Sequence, residues 1–191
     1  MSTERNKMKR KNIINEEKIM KVKNIILIRK IIRICVWSLF VLYCMALFFV
    51  FIISRINTHI RPYENINNVL ARINLIPFKT VYEYIDKIIN NRINVDTVIA
   101  NLVGNIILFL PMGAFLPCLF QKLRPFKKTI LTVLVIVFVI ESTEILFAMG
   151  SFDIDDFIFN LSGAMIGYSI AKVPFIAKLR DRIFTEGKKT E

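Results

Sequence analysis

The sequence predicts an all-α membrane protein: a bundle of four transmembrane helices plus an amphipathic helix in an outer loop. Three observations lead there. Of 191 residues, 54% are apolar and the mean hydropathy is +0.51, well above an ordinary soluble domain. The apolar residues fall in long blocks instead of recurring at helical or strand period, which is how membrane spans read. The net charge of +12 is gathered at the ends of those blocks, as it is where basic flanks sort to the cytoplasmic side.

Residues 1–33 hold eleven Lys/Arg against three acids and read as a basic cytoplasmic arm, partly helical near the membrane. The first span, 34–53, has twenty uncharged residues, about 30 Å as a helix. The long polar segment before it and the exit FVFIISR, without small residues, make it an anchor and not a cleaved signal. Residues 54–97 form the one sizeable outer segment, containing the lone histidine, His59, which reads as a surface residue. There, Thr80 and Glu83 fit a capping box that starts a helix just after Pro77. Val81, Tyr84, Ile85, Ile88 and Ile89 share its apolar face, suited to the membrane surface or to the bundle itself.

The second span, about 98–120, carries Asn101 and Asn105 on one face, with Pro111 and Gly113 set to kink it. QKLRPFKK (121–128), with four bases and no acid, turns the chain at the cytoplasmic face. A third span, about 129–149, rises, and GSFDIDDF makes an outer loop. A fourth span, about 157–175, returns to a basic tail over 176–191, leaving both termini cytoplasmic. Residues 34–175 thus form one transmembrane domain. Cys35, Cys44 and Cys118 fall inside spans without a CxxC and read as apolar packing residues. No nucleic-acid-binding module, phosphate loop or His/Cys ligand set is present, and lipid headgroups account for the basic flanks.

That topology brings Asn101, Asn105, Glu141, Glu144, Asp153, Asp155, Asp156 and Asn160 to the outer side, where they are the candidate ligand-binding residues. A carboxylate at the centre of a span costs roughly 2.5–3.5 kcal/mol on insertion scales, so Glu141 and Glu144 should face protein or water. Three apart, they share a helix face, and two adjacent charges need a proton, a cation or a basic group between them. Asp153 is a good N-cap for the fourth helix, with Asp156 in its first turn, where negative charge suits the helix dipole. The five acids together make a hard-oxygen cluster of the type that takes Mg²⁺ or Ca²⁺, yet no EF-hand loop accompanies them, and no cofactor is expected. Asn101 and Asn105 suit hydrogen bonds between helices, while Gly163 and Gly167 form a GxxxG face for close helix packing.

RINLIPF (72–78), NLVGNIILFLPMGAFLP (101–117), ESTE and FDIDDFIFNLSGAMIGY (152–168) resemble, in order and spacing, the VanZ-like family of bacterial membrane proteins. The resemblance covers roughly residues 34–175, with matching positions Asn74, Pro77, Phe78, Asn105, Phe109, Pro111, Gly113, Glu141, Phe152, Asp153, Asp155, Asp156, Asn160, Gly163 and Gly167. It departs at Glu144, where the family usually has Gln, and at Gly150, where Arg is frequent; both changes make the region more acidic. The resemblance implies an envelope protein of the bacterial inner membrane that modulates susceptibility to teicoplanin-type lipoglycopeptides. Its expected partners are membrane lipids and a lipoglycopeptide or lipid-linked precursor; nucleic acid is not among them. Two other classes stay open: a membrane enzyme using the carboxylates as acid/base or metal ligands on a cell-wall precursor, and a cation-coupled transporter.

Overall fold

The apolar blocks all become helices. The computed structural model describes residues 2–53, 70, 72–147 and 150–185; His59 and the rest of 54–69 lie outside the described residues. In order, α1 is Ser2–Phe48, followed by a π-helical turn over Phe49–Ile53. Then come α2 (Lys79–Ile89), α3 (Val95–Leu119), α4 (Phe126–Leu146), α5 (Ile154–Lys172) and α6 (Pro174–Phe184). The basic arm and the first apolar block are one continuous helix of 47 residues, about 70 Å long. No helix breaker separates them; Lys, Arg and Glu propagate a helix as readily as Leu.

Helices α3, α4 and α5 each begin three residues before the apolar run that predicts them. Their first turns take polar residues that a hydropathy reading discards: Asp96, Lys127 and Lys128, and Asp155 and Asp156. Three helical stretches, Ile14–Phe51, Val95–Leu119 and Phe126–Leu146, are long and apolar enough to cross a membrane. α5 falls short of that apolarity because Asp155, Asp156, Asn160, Ser162 and its glycines dilute it. Leu131, Val135, Phe138 and Val139 of α4 face outward while Val133 and Val137 are fully buried. A helix apolar on both faces belongs in lipid, and the chain is an all-α membrane protein.

The core lies between α3 and α5, which run parallel, with α4 antiparallel beside them. Phe109, Met112 and Leu116 of α3 meet Val133 and Val137 of α4 and Phe157 and Ala164 of α5. Glycine makes the α3–α5 approach possible. A Cβ on Gly113 would overlap the Ala164 backbone carbonyl; one on Gly163 would overlap that of Ile106, and one on Gly167 that of Leu110. The Gly163–Gly167 face therefore packs as its spacing implies, backbone against backbone. α1 and the π-helical turn after it join through aromatic rings: Trp37 to Phe120 at 5.3 Å, Phe40 to Phe115 at 5.6 Å and Phe51 to Phe109 at 6.1 Å. The Tyr43 hydroxyl donates to the Leu108 carbonyl at 2.6 Å, in the turn preceding Pro111. α3 remains one helix through Pro111 and Pro117.

One element has no counterpart in the sequence reading. β1 (Ile73–Asn74) pairs in parallel with β2 (Phe152–Asp153), Ile73 opposite Phe152 and Asn74 opposite Asp153. The Phe152 N–H donates to the Arg72 carbonyl at 2.9 Å. This short ladder fastens the segment before α2 to the segment before α5.

Candidate functional site

The acidic residues converge where four pieces of chain meet: α2, the first half of α3, the last turns of α4 and the start of α5. Asp153 is the N-cap of α5, with extended backbone (φ −124°, ψ 122°) and a carboxylate that accepts the Asp155 N–H at 2.9 Å. The same oxygen accepts the Asn74 side-chain amide at 3.0 Å, and the other accepts the Thr80 hydroxyl. The Asp153 N–H in turn donates to Glu141 at 3.3 Å. Asp153 thus ties β1, α2, α4 and α5 into one node.

Asp155 is 1% exposed and is engaged by another helix. Its carboxylate accepts the Phe78 N–H at 2.5 Å, the Thr80 N–H at 2.9 Å and the Val81 N–H at 3.4 Å. These amides open α2 and have no intrahelical acceptor, so Asp155 caps α2 from α5. Phe78, the residue before α2, is held in left-handed backbone at φ 63°, a costly conformation for a bulky side chain. The carboxylate bonded to its N–H secures it there.

This arrangement corrects the expected capping box. Thr80 lies inside α2 and its hydroxyl serves Asp153; Glu83 instead meets Lys79 at 3.9 Å and Lys87 at 3.8 Å. A carboxylate oxygen is a stronger acceptor than a hydroxyl, and Asp155 takes the opening amides. The exposed Lys–Glu pairs add little stability.

Between these elements lies a cavity of about 400 Å³. Five carboxylates line it, from Glu83, Glu144, Asp153, Asp155 and Asp156, against one ammonium from Lys87. Asn105 donates to Asp156 at 2.5 Å, fixing one carboxylate oxygen at the wall. Asn101 donates to the Tyr84 hydroxyl at 3.3 Å and lines the same wall. Burial, and next the Asp156 charge, push the Tyr84 phenol above its ordinary pKa, which keeps it a neutral hydrogen-bonding group.

Of the eight residues the sequence nominates, six line the cavity: Asn101, Asn105, Glu144, Asp153, Asp155 and Asp156. Glu141, 1% exposed, lies behind the wall and braces the Asp153 amide. Asn160, also 1% exposed, sits one helical turn past Asp156, and its side-chain oxygen has no hydrogen-bond partner among the described residues. Thr80, Glu83, Tyr84 and Lys87 were missed as lining residues, although Thr80, Glu83 and Lys87, at i, i+3 and i+7, mark a polar face of α2 that Tyr84 borders. Chemically, Asp153 and Asp155 spend their lone pairs on amide and hydroxyl donors. Glu144 and Asp156 add two further carboxylates to the wall, from the end of α4 and the start of α5. Among the described residues, no three of His, Cys, Asp or Glu stand in a metal-holding arrangement.

No curated protein and no solved structure matches the chain. A family model described as VanZ/LLP1 matches residues 40–177, which takes in the α3–α5 core, the β1–β2 ladder and every carboxylate of the cavity. Covering well over half of the chain, that match shows that the protein belongs to the VanZ/LLP1 family.

Proposed function

We propose that this is a four-span protein of a bacterial cell membrane, with both termini cytoplasmic, whose acidic pocket binds a cationic group at the outer face. The ligand is a lipoglycopeptide antibiotic or a lipid-linked envelope precursor bearing an amine, and binding lowers susceptibility to teicoplanin-type drugs. The observation that carries this reading is the cavity lined by five carboxylates and one ammonium. Such an excess of negative charge in a partly water-excluded cleft selects cations. Family membership supports the envelope setting. The orientation follows from the basic turn at 121–128 and the basic segments at both ends, which favour the cytoplasm. α5, 19 residues and about 28 Å long, then completes the fourth crossing with its polar face turned to α3.

Glu144→Gln and Asp156→Asn preserve shape while removing one charge each. Losing a charge-assisted hydrogen bond of about 1.5–3 kcal/mol should weaken binding of an amine-bearing lipoglycopeptide roughly ten- to hundredfold. Teicoplanin susceptibility should rise in cells making either variant at the normal level. Unchanged susceptibility and unchanged binding in both would sink the proposal. Orientation has its own check. Ser151, exposed at the rim, should as Ser151→Cys react with a membrane-impermeant maleimide in intact cells. Reaction only after lysis would reverse the topology.

A further inference from the structure

We infer that the end of the bundle opposite the acidic pocket holds the phosphate of an anionic membrane lipid between Arg124 and Arg180. The inference is independent of the pocket reading. Arg180, on α6, is only 8% exposed, a burial that guanidinium groups rarely adopt without full pairing. Its Nε and one terminal nitrogen reach Asp181 at 3.1 and 3.4 Å. Its other terminal nitrogen, Nη1, is buried without an acceptor among the described residues. Arg124, in the turn between α3 and α4, reaches the same Asp181 at 3.2 Å and the Thr185 hydroxyl at 3.2 Å. Its Nε is likewise buried without an acceptor.

One half-exposed carboxylate therefore serves two guanidinium groups, and each keeps a donor unmet. A third cation stands close by: the Lys172 ammonium lies 5.3 Å over the Tyr168 ring, and the Tyr168 hydroxyl donates to the Arg124 carbonyl at 2.9 Å. A phosphate supplies what this cluster lacks, several anionic acceptor oxygens on one small group, and guanidinium forks match it. The surroundings point to a lipid as the source. Val173, Phe175 and Leu179, at the end of α5 and along α6, are exposed beside the cluster, with Phe175 at 76%. Apolar side chains flanking a basic site at a helix end suit acyl chains below a headgroup.

The test compares full-length protein in phosphatidylglycerol and phosphatidylcholine nanodiscs by native mass spectrometry of retained lipid and by thermal unfolding. Wild type should retain phosphatidylglycerol at least tenfold over phosphatidylcholine and unfold at higher temperature with it. Arg124→Gln/Arg180→Gln should lose that preference, and Lys127→Gln, at an exposed base in the first turn of α4, should keep it. Arg180→Lys, which preserves charge but removes the fork, should lose most of it; this variant and the wild-type preference carry the test if the double variant does not fold. No preference in wild type, or full preference in Arg180→Lys, overturns the inference. Inorganic phosphate protecting as well as phosphatidylglycerol overturns the lipid source.

Discussion

Gly163→Ala and Gly167→Ala proteins will unfold far more readily than wild type, while Gly104→Ala will be at least as stable. Helix propensity alone gives the opposite expectation at 163 and 167, since Ala is favoured over Gly by about 0.8–1.0 kcal/mol inside a helix. Packing reverses the sign. At 163 and 167 a Cβ would fall on the backbone carbonyls of Ile106 and Leu110, which cannot rotate away as a side chain does. α3 and α5 would have to separate, opening the contacts of Phe109, Met112 and Ala164. Overpacking costs about 1–3 kcal/mol where side chains can adjust, and the cost here exceeds that range because backbone is struck. Gly104 has nothing within 4 Å of an added Cβ, so only the propensity gain remains. Thermal unfolding of detergent-solubilised protein, read with membrane abundance, decides it. Equal stability of Gly163→Ala and Gly104→Ala would refute the backbone contact.

Asp155→Ala will release α2 from the bundle without unfolding the bundle. Three opening amides of α2, those of Phe78, Thr80 and Val81, lose their acceptor together. A helix cap and charged hydrogen bonds of this type are worth roughly 2–3 kcal/mol in combination. Hydrogen exchange at Phe78–Val81 should then accelerate roughly 30- to 150-fold, with the α3–α5 amides still protected. Asp155→Asn, which keeps one good acceptor, should fall between. Asp156→Asn should leave those amides unchanged, because their acceptor is the Asp155 carboxylate. Retained protection at Phe78–Val81 in Asp155→Ala would show that α2 is held elsewhere.

Where the sequence reading succeeded, local chemistry decided the structure. Asp153 before an apolar run is an N-cap by residue type, and Gly163–Gly167 is a small face by spacing. The convergence of Asn105, Glu144 and Asp156 follows from the alternating directions of α3, α4 and α5. Where it fell short, a distant group intervened. The Thr80–Glu83 pattern has the right local form, yet Asp155, 75 residues away in sequence from Thr80, takes the amide. The Ile73–Phe152 ladder depends on the same long-range docking, and two-residue strands carry no periodicity to read. Arg180 looked like one more base in a solvated tail; its burial comes from the docking of α6 on Arg124 and on Arg33, whose Nε donates to the Ile183 carbonyl at 2.5 Å.

The glycine contact between α3 and α5 has a consequence for how anything reaches the acidic cavity. Asn105 and Asp156 stand on two helices locked backbone to backbone, so that wall behaves as a fixed door frame. α2 is the more loosely packed wall: none of its residues is fully buried, and Asp153 and Asp155 latch its first turn to the bundle. On the proposed ligand-binding reading, entry past α2 would be governed by this latch. On that reading, loosening Asp155 would change a ligand's arrival and departure rates together, and its affinity for the cavity far less.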